Sequence, residues 1–195
     1  MPVPNETVER LLHMIDQSTW IGKRNYMIIS MLWTLGLRIS ELTGLRVGSF
    51  EPDHVPENRI GLLRVKGKNK KQRALFVVDK LYDNLITYLS HHESPKKKTD
   101  PLFPVESGKA ISNDRVQKKI KEYCKEARIK ERITPHVLRH SFATEMYNAN
   151  VPLDAIQAMM GHDRKSETSA YIKVSDPFKE EALDQLTISG GISWQ

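Results

Sequence analysis

A single cysteine, Cys124, among 195 residues excludes an intramolecular disulfide and leaves no thiolate cluster for zinc or iron. That scarcity suits a reducing compartment. No apolar run approaches the roughly 20 residues that a membrane helix needs, and the stretch MPVPNETVERLL lacks the apolar segment of a secretory signal. Internal repeats and low-complexity tracts are missing too. These absences lead to the expectation of a soluble, cytoplasmic protein with no membrane partner. Acidic residues are outnumbered, 24 against 30 lysines and arginines, and the formal charge of +6 favours a polyanion as partner. The length suffices for one well-buried core, so one domain is expected over residues 1–195.

Helical periodicity dominates what is present. Asn5 is expected to cap a first helix with Val8, Leu11, Leu12 and Ile15 on its apolar stripe. A second, apolar helix is expected from about Lys23 to Leu35, with Gly36 ending it. Arg38 then stands at the junction with a short helix through Ser40, Glu41 and Leu42 that Gly44 closes. Between Arg59 and Val78 the period changes: IGLLRV, a basic turn KGKNKKQ and RALFVV read as a β-hairpin with Lys66, Lys68, Lys70 and Lys71 at its tip. Asp79 is expected to cap a helix with Leu81, Leu85, Ile86 and Leu89 inward, and Ser112 another with Val116, Ile120, Tyr123 and Ala127 inward. Lys118, Lys119, Lys121 and Lys125 form the solvated face of the latter.

The stretch with most chemical content runs from Thr134 to Val174. A hydroxyl N-cap, Thr134, followed by Pro135 starts a helix to about Ala149 that carries His136, Arg139 and His140 on its first turns. Free N–H groups and the positive dipole end attract an anion there, and a guanidinium grips two oxygens of a phosphate at once. Past a break at Val151 and Pro152, a short helix bears Ile156, Met159 and Met160, and Gly161 ends it in a left-handed cap before His162. Ser166 is expected to cap a further turn on which Tyr171 lies with Ile172 and Val174. His136 and His140 have the i, i+4 spacing of a zinc-binding helix. Yet Val137 stands where a metallopeptidase needs glutamate, and Arg139 would repel a dication, so neither metal nor cofactor is expected.

The strings His136-Val-Leu-Arg139-His140, Gly161-His162 and Tyr171 nine residues further on, with Gly36-Leu37-Arg38-Ile39-Ser40-Glu41-Leu42, resemble the boxes of the tyrosine recombinases, the phage-integrase and Xer family. The resemblance spans about Val3 to Phe178. It implies a mainly α fold with a small antiparallel β-sheet, that of the catalytic domain of DNA breaking-rejoining enzymes. It also implies a site-specific recombinase or integrase that cuts and rejoins strands through a 3′-phosphotyrosine with release of a 5′-OH. By this resemblance Tyr171 is the nucleophile, Arg38 and Arg139 clamp the phosphate, His136 is the general base and His162 a phosphate hydrogen-bond donor. Aligning Gly67-Lys68 and Arg73 with the string G-K-G-N-K-E-R selects Lys68 as general acid, with Lys66 its competitor and Asn69 departing from the family's glycine. Lys66, Lys70, Lys71 and His140 are candidate DNA contacts; His140 alternatively reads as a core histidine, and Tyr147, the decoy nucleophile, as a packing residue.

The partners so implied are double-stranded DNA, further copies of the chain in a synaptic tetramer, and accessory DNA-bending or directionality proteins. Residues 1–175 are expected to form the catalytic core and 176–195 a helix and tail that dock on a neighbouring protomer or on their own domain. The family's N-terminal core-binding domain is expected to be absent. A type IB topoisomerase, which relaxes DNA by the same tyrosine chemistry, and an inactive DNA-binding module are the alternatives.

Overall fold

The computed structural model describes residues 2–67, 72–91 and 93–161. Seven α-helices and three strands are found among them, mainly α with one small antiparallel sheet. Helix α2 (Trp20–Thr34) lies at the centre. Thr19 caps it by accepting from the Gly22 N–H, and most of its length is buried, as expected of a helix that is apolar nearly all round. Around it pack α1 (Asn5–His13), α3 (Ile39–Thr43), α4 (Asp79–Ser90), α5 (Asn113–Glu126) and α6 (Pro135–Asn148). Fully enclosed Met31 and Leu32 show how much this helix contributes. Burying each such side chain stabilises by about 1.5–3 kcal/mol.

The predicted hairpin is present as β2 (Ile60–Lys66) and β3 (Gln72–Val78), paired antiparallel with Leu63 opposite Leu75 and Val65 opposite Arg73. Leu63, Val65, Leu75 and Val77 turn inward onto the core. A third strand, β1 (Phe50–Pro52), extends the sheet beside β2 and was not anticipated. The Phe50 ring packs against Gly61, where an added Cβ would sit 2.3 Å from it.

One core runs from Val3 to Leu138, and a smaller cluster of Phe142, Ile156 and Met160 joins α6 to α7 (Leu153–Met160). The start of the chain is fastened to α6: the Val3 N–H donates to Ser141 Oγ at 2.8 Å, and the Ser141 hydroxyl donates to the Val137 carbonyl. A buried arginine, Arg24, ties α2 to the loop before α5 through the Pro104 carbonyl at 2.7 Å, with Trp20 beneath its guanidinium.

Two expected caps shift by one residue. Asn5 is the first residue of α1 with Pro4 at the cap, and its side chain reaches Glu145 instead of the helix's own N–H groups. Asp79 is likewise the first residue of α4, at φ +51°, with Val78 at the cap and no side-chain capping bond. In both cases the helix begins one residue earlier than expected, directly after a residue with extended backbone. Ser112 and Thr134 cap as expected, accepting from the Arg115 and Val137 N–H groups. Among the described residues no helix is long and apolar enough to cross a membrane, and no group of three His, Cys, Asp or Glu is placed to hold a metal.

Candidate active site

Helix α6 presents Arg139 inward. Thr134 and Pro135 set its start, and Leu138, Ser141 and Phe142 bury one face, which carries Arg139 down to 6% exposure. His136 and His140 lie on the exposed side of the same turns. His140 is therefore not a core histidine. Tyr147 also departs from the packing role expected of it, standing 66% exposed near the helix end.

Arg38 arrives from the other direction. Gly36 ends α2 at φ +57°, and Arg38 becomes the cap of α3, its N–H donating to Glu41 Oε2 at 2.8 Å. The Gly36 turn is tight against α6: an added Cβ would meet the Phe142 ring at 2.4 Å. Only glycine meets both the left-handed backbone and this contact cheaply.

The two arginines meet at the end of α7. The last carbonyls of a helix have no partner within it and carry its negative dipole end. Here guanidiniums satisfy them. Arg38 donates to the Met160 carbonyl at 3.3 Å and the Gly161 carbonyl at 3.1 Å, and Arg139 donates to the same Met160 carbonyl at 2.6 Å. The other Arg139 nitrogen donates to the Gly36 carbonyl, so the turn that delivers Arg38 also anchors Arg139. Gly161 adopts the expected left-handed cap at φ +65°, directly before His162.

A third arginine, Arg73, completes the cluster. From β3 it donates to both Glu41 oxygens, at 2.7 and 2.8 Å, and through Nε to the Met159 carbonyl at 2.7 Å. The Glu41 side chain is 2% exposed. Burial pushes its carboxyl up, but the hydrogen bonds and charge of Arg73, with those of Arg38, outweigh this and hold it below the usual carboxylate range. Arg139 is pushed down to about 10 by burial first, then by the neighbouring Arg38 and Arg73 charges, and stays cationic at neutral pH. Three guanidiniums thus face one carboxylate, and the cluster keeps surplus positive charge. An anion with several oxygens suits it.

The structure brings Arg38 and Arg139 together and leaves Lys66 apart. Lys66, opposite Gln72 at the end of β2, is exposed, and strand alternation puts it on the sheet face away from Val65 and Arg73. Lys68, Lys70, Lys71, His162 and Tyr171 lie outside the described residues. Glu41 and Arg73 are the site members that motif reasoning passed over as site residues. The glutamate at N3 of a helix beginning with Arg38 was a usable signal, since a carboxylate there reaches back to the cap.

The Phage integrase family model matches residues 3–177. A tyrosine recombinase of Pseudothermotoga lettingae is 36% identical over 171 residues, which are 87% of this chain and 56% of the relative. Tyrosine recombinase XerC of Chlamydia pneumoniae is 29% identical over 182 residues, 92% of this chain and 56% of the relative. Among solved structures, the XerH site-specific recombinase bound to palindromic difH substrate, a post-cleavage complex, matches with a TM-score of 0.70 at 27% identity, covering 94% of this chain and 52% of that one. The chain spans a little over half the length of the curated relatives it matches.

Proposed function

The chain belongs to the phage integrase family, and from that premise we propose that it cuts and rejoins DNA strands by moving a phosphodiester onto Tyr171. The observation that supports this best is the meeting of Arg38 and Arg139 on one carbonyl oxygen, with surplus positive charge around it. Two guanidiniums within hydrogen-bond reach of one atom are spaced to hold two oxygens of one phosphate.

In the proposed step the Tyr171 hydroxyl attacks phosphorus and the bond from phosphorus to O5′ breaks. A free phenol has a pKa near 10, so it needs a base or strong electrostatic help. His136, exposed on the first turn of α6, takes the proton. Arg38 and Arg139 neutralise the nonbridging oxygens as charge builds, where one such donor contributes about 3 kcal/mol. His162 adds a hydrogen bond to them. Lys68, with Lys66 the weaker candidate, protonates the departing 5′ oxygen, a role worth about 10² to 10⁴ in rate. The products are a 3′-phosphotyrosine and a 5′-OH. Attack by a 5′-OH of a partner duplex reverses every bond and joins the new strand. Lys70, Lys71 and His140 contact the DNA backbone on this reading. Residues 1–175 form the catalytic core, and 176–195 dock on a neighbouring protomer in a synaptic tetramer, which accessory DNA-bending or directionality proteins assist.

The test is relaxation of supercoiled plasmid at low salt, with denaturant trapping of a covalent protein–DNA adduct, for the protein and for Tyr171→Phe. Relaxation and adduct in the first and neither in the second is the expected result. Activity that persists in Tyr171→Phe, or a wild-type protein that forms no adduct, would overturn the proposal.

A further inference from the structure

Arg73 serves in the sequence only as a marker for aligning the hairpin, yet its guanidinium is held on every side by protein. All three of its nitrogens are occupied, two by the Glu41 carboxylate and one by the Met159 carbonyl, and its side chain is 11% exposed. It is aimed at protein and not at a ligand. Arg38 also rests on protein, through the Met160 and Gly161 carbonyls, but it is 38% exposed and shares Glu41 only through one nitrogen at 3.0 Å and its backbone N–H.

Glu41 is the reason this division matters. A carboxylate buried to 2% exposure must be paired. With Arg73 in place both of its oxygens are met from β3. Without Arg73 the nearest cation is Arg38, four-fifths of a helical turn back on α3, and both oxygens would draw that guanidinium in. Gly161 supplies an independent observation. A Cβ there would lie 2.8 Å from Arg73 Nη1, so the glycine of the Gly-His pair leaves the space that this guanidinium fills.

We propose that Arg73 is a positioning residue: by holding Glu41 and the Met159 carbonyl, it keeps Arg38 from being drawn onto both Glu41 oxygens, so that the exposed side of the Arg38 guanidinium faces the scissile phosphate. It rests on the strand-transfer reading above. Arg73 also joins the hairpin bearing the candidate general acid to the helix end that precedes His162, so two sides of the site share one anchor. Lysine cannot replace it, because one ammonium does not span a carboxylate and a carbonyl in a fixed fork.

The experiment measures adduct formation on saturating supercoiled plasmid for wild type, Arg73→Gln and the double variant Arg73→Gln/Glu41→Gln, with the half-saturating DNA concentration and a thermal melt for each. Arg73→Gln is expected to slow adduct formation by about 10² to 10³, the loss of one preorganised donor, with little change in half-saturating DNA. The double variant removes the charge that captures Arg38 and is expected to recover about tenfold. A merely structural role predicts no recovery. Wild-type rates in Arg73→Gln, or a double variant as slow as the single one, would overturn the proposal. Should Arg73→Gln melt below the assay temperature, the double variant decides alone: a rate near that of Arg38→Ala refutes the proposal, and one about tenfold faster supports it. A crystal structure of Arg73→Gln bound to sulfate reads the same point without activity. Arg38 turned onto both Glu41 oxygens supports it and an unmoved Arg38 refutes it, even if the wild type forms no adduct and the strand-transfer reading falls.

Discussion

Replacing Arg139 with methionine should separate the stability of this protein from its activity. Arg139 is 6% exposed and makes two charge-assisted hydrogen bonds, to the Gly36 and Met160 carbonyls. Each such bond contributes about 1.5–3 kcal/mol, so their loss alone would be severe. Against this stands the cost of keeping a cation there. Its pKa falls to about 10 through burial and the Arg38 and Arg73 charges, and the drop from the ordinary guanidinium value corresponds to about 3 kcal/mol of penalty on the charged form at neutral pH. Methionine removes the penalty with the bonds, fills much of the volume, and leaves the Met160 carbonyl its bond to Arg38. The net loss should be about 0–3 kcal/mol, which for a domain of this size lowers Tm by no more than about 12 °C. Adduct formation, however, should fall by about 10² to 10³ or more. Urea unfolding and a thermal melt in low-anion buffer check the first half and plasmid relaxation the second. Sulfate adds a third readout, since an anion bound by the cluster raises Tm by mass action, and wild type should respond more strongly than the variant. A variant destabilised by more than about 5 kcal/mol, or equal sulfate responses in both proteins, would refute this reasoning.

Gly36→Ala should cost at least about 2 kcal/mol, about 1–2 from the left-handed backbone and the rest from the Phe142 ring 2.4 Å from the new Cβ; an unchanged urea midpoint would contradict it. Glu41 should make the protein acid-labile. Its folded pKa lies below the ordinary 4.5, so the unfolded chain takes up the proton first, and the stability it contributes is complete above that value and lost as pH falls below it toward the folded pKa. The gap in urea midpoint between wild type and Glu41→Gln should therefore narrow as pH falls below 4.5, and a gap that stays constant as the pH is lowered would rule the account out.

Local signals were legible where a residue type solves a local problem. Thr134-Pro135, Ser112, Gly36, Gly44 and Gly161 start or stop helices by their own chemistry, and the structure uses each as expected. The hairpin was legible from its change of period. Strand β1 was not, since three residues including Pro52 carry no alternation and are held extended by pairing with Gly61, Leu62 and Leu63. The site divides the same way. Motif spacing pointed to Arg38 and Arg139, which the fold brings onto one carbonyl. Arg73 and Glu41 meet across 32 positions of chain, from a strand to a helix, and no local pattern announces such a contact. Tyr147 was misjudged because an aromatic on a helix reads as core until its face is known.

The bond from the Val3 amide to Ser141 bears on how the chain is made. The two residues are 138 apart, so at about 5–20 residues per second a ribosome takes roughly 7 to 28 s between them. For most of that interval α1 and α2 have been made while α6, which covers them and carries Arg139, has not. Their apolar faces then depend on chaperones or on temporary contacts with the hairpin and α4. The arginine cluster is completed only when α7 delivers the carbonyls of Met159, Met160 and Gly161. A nascent chain therefore cannot grip a phosphate with an assembled site until nearly all of its core is closed.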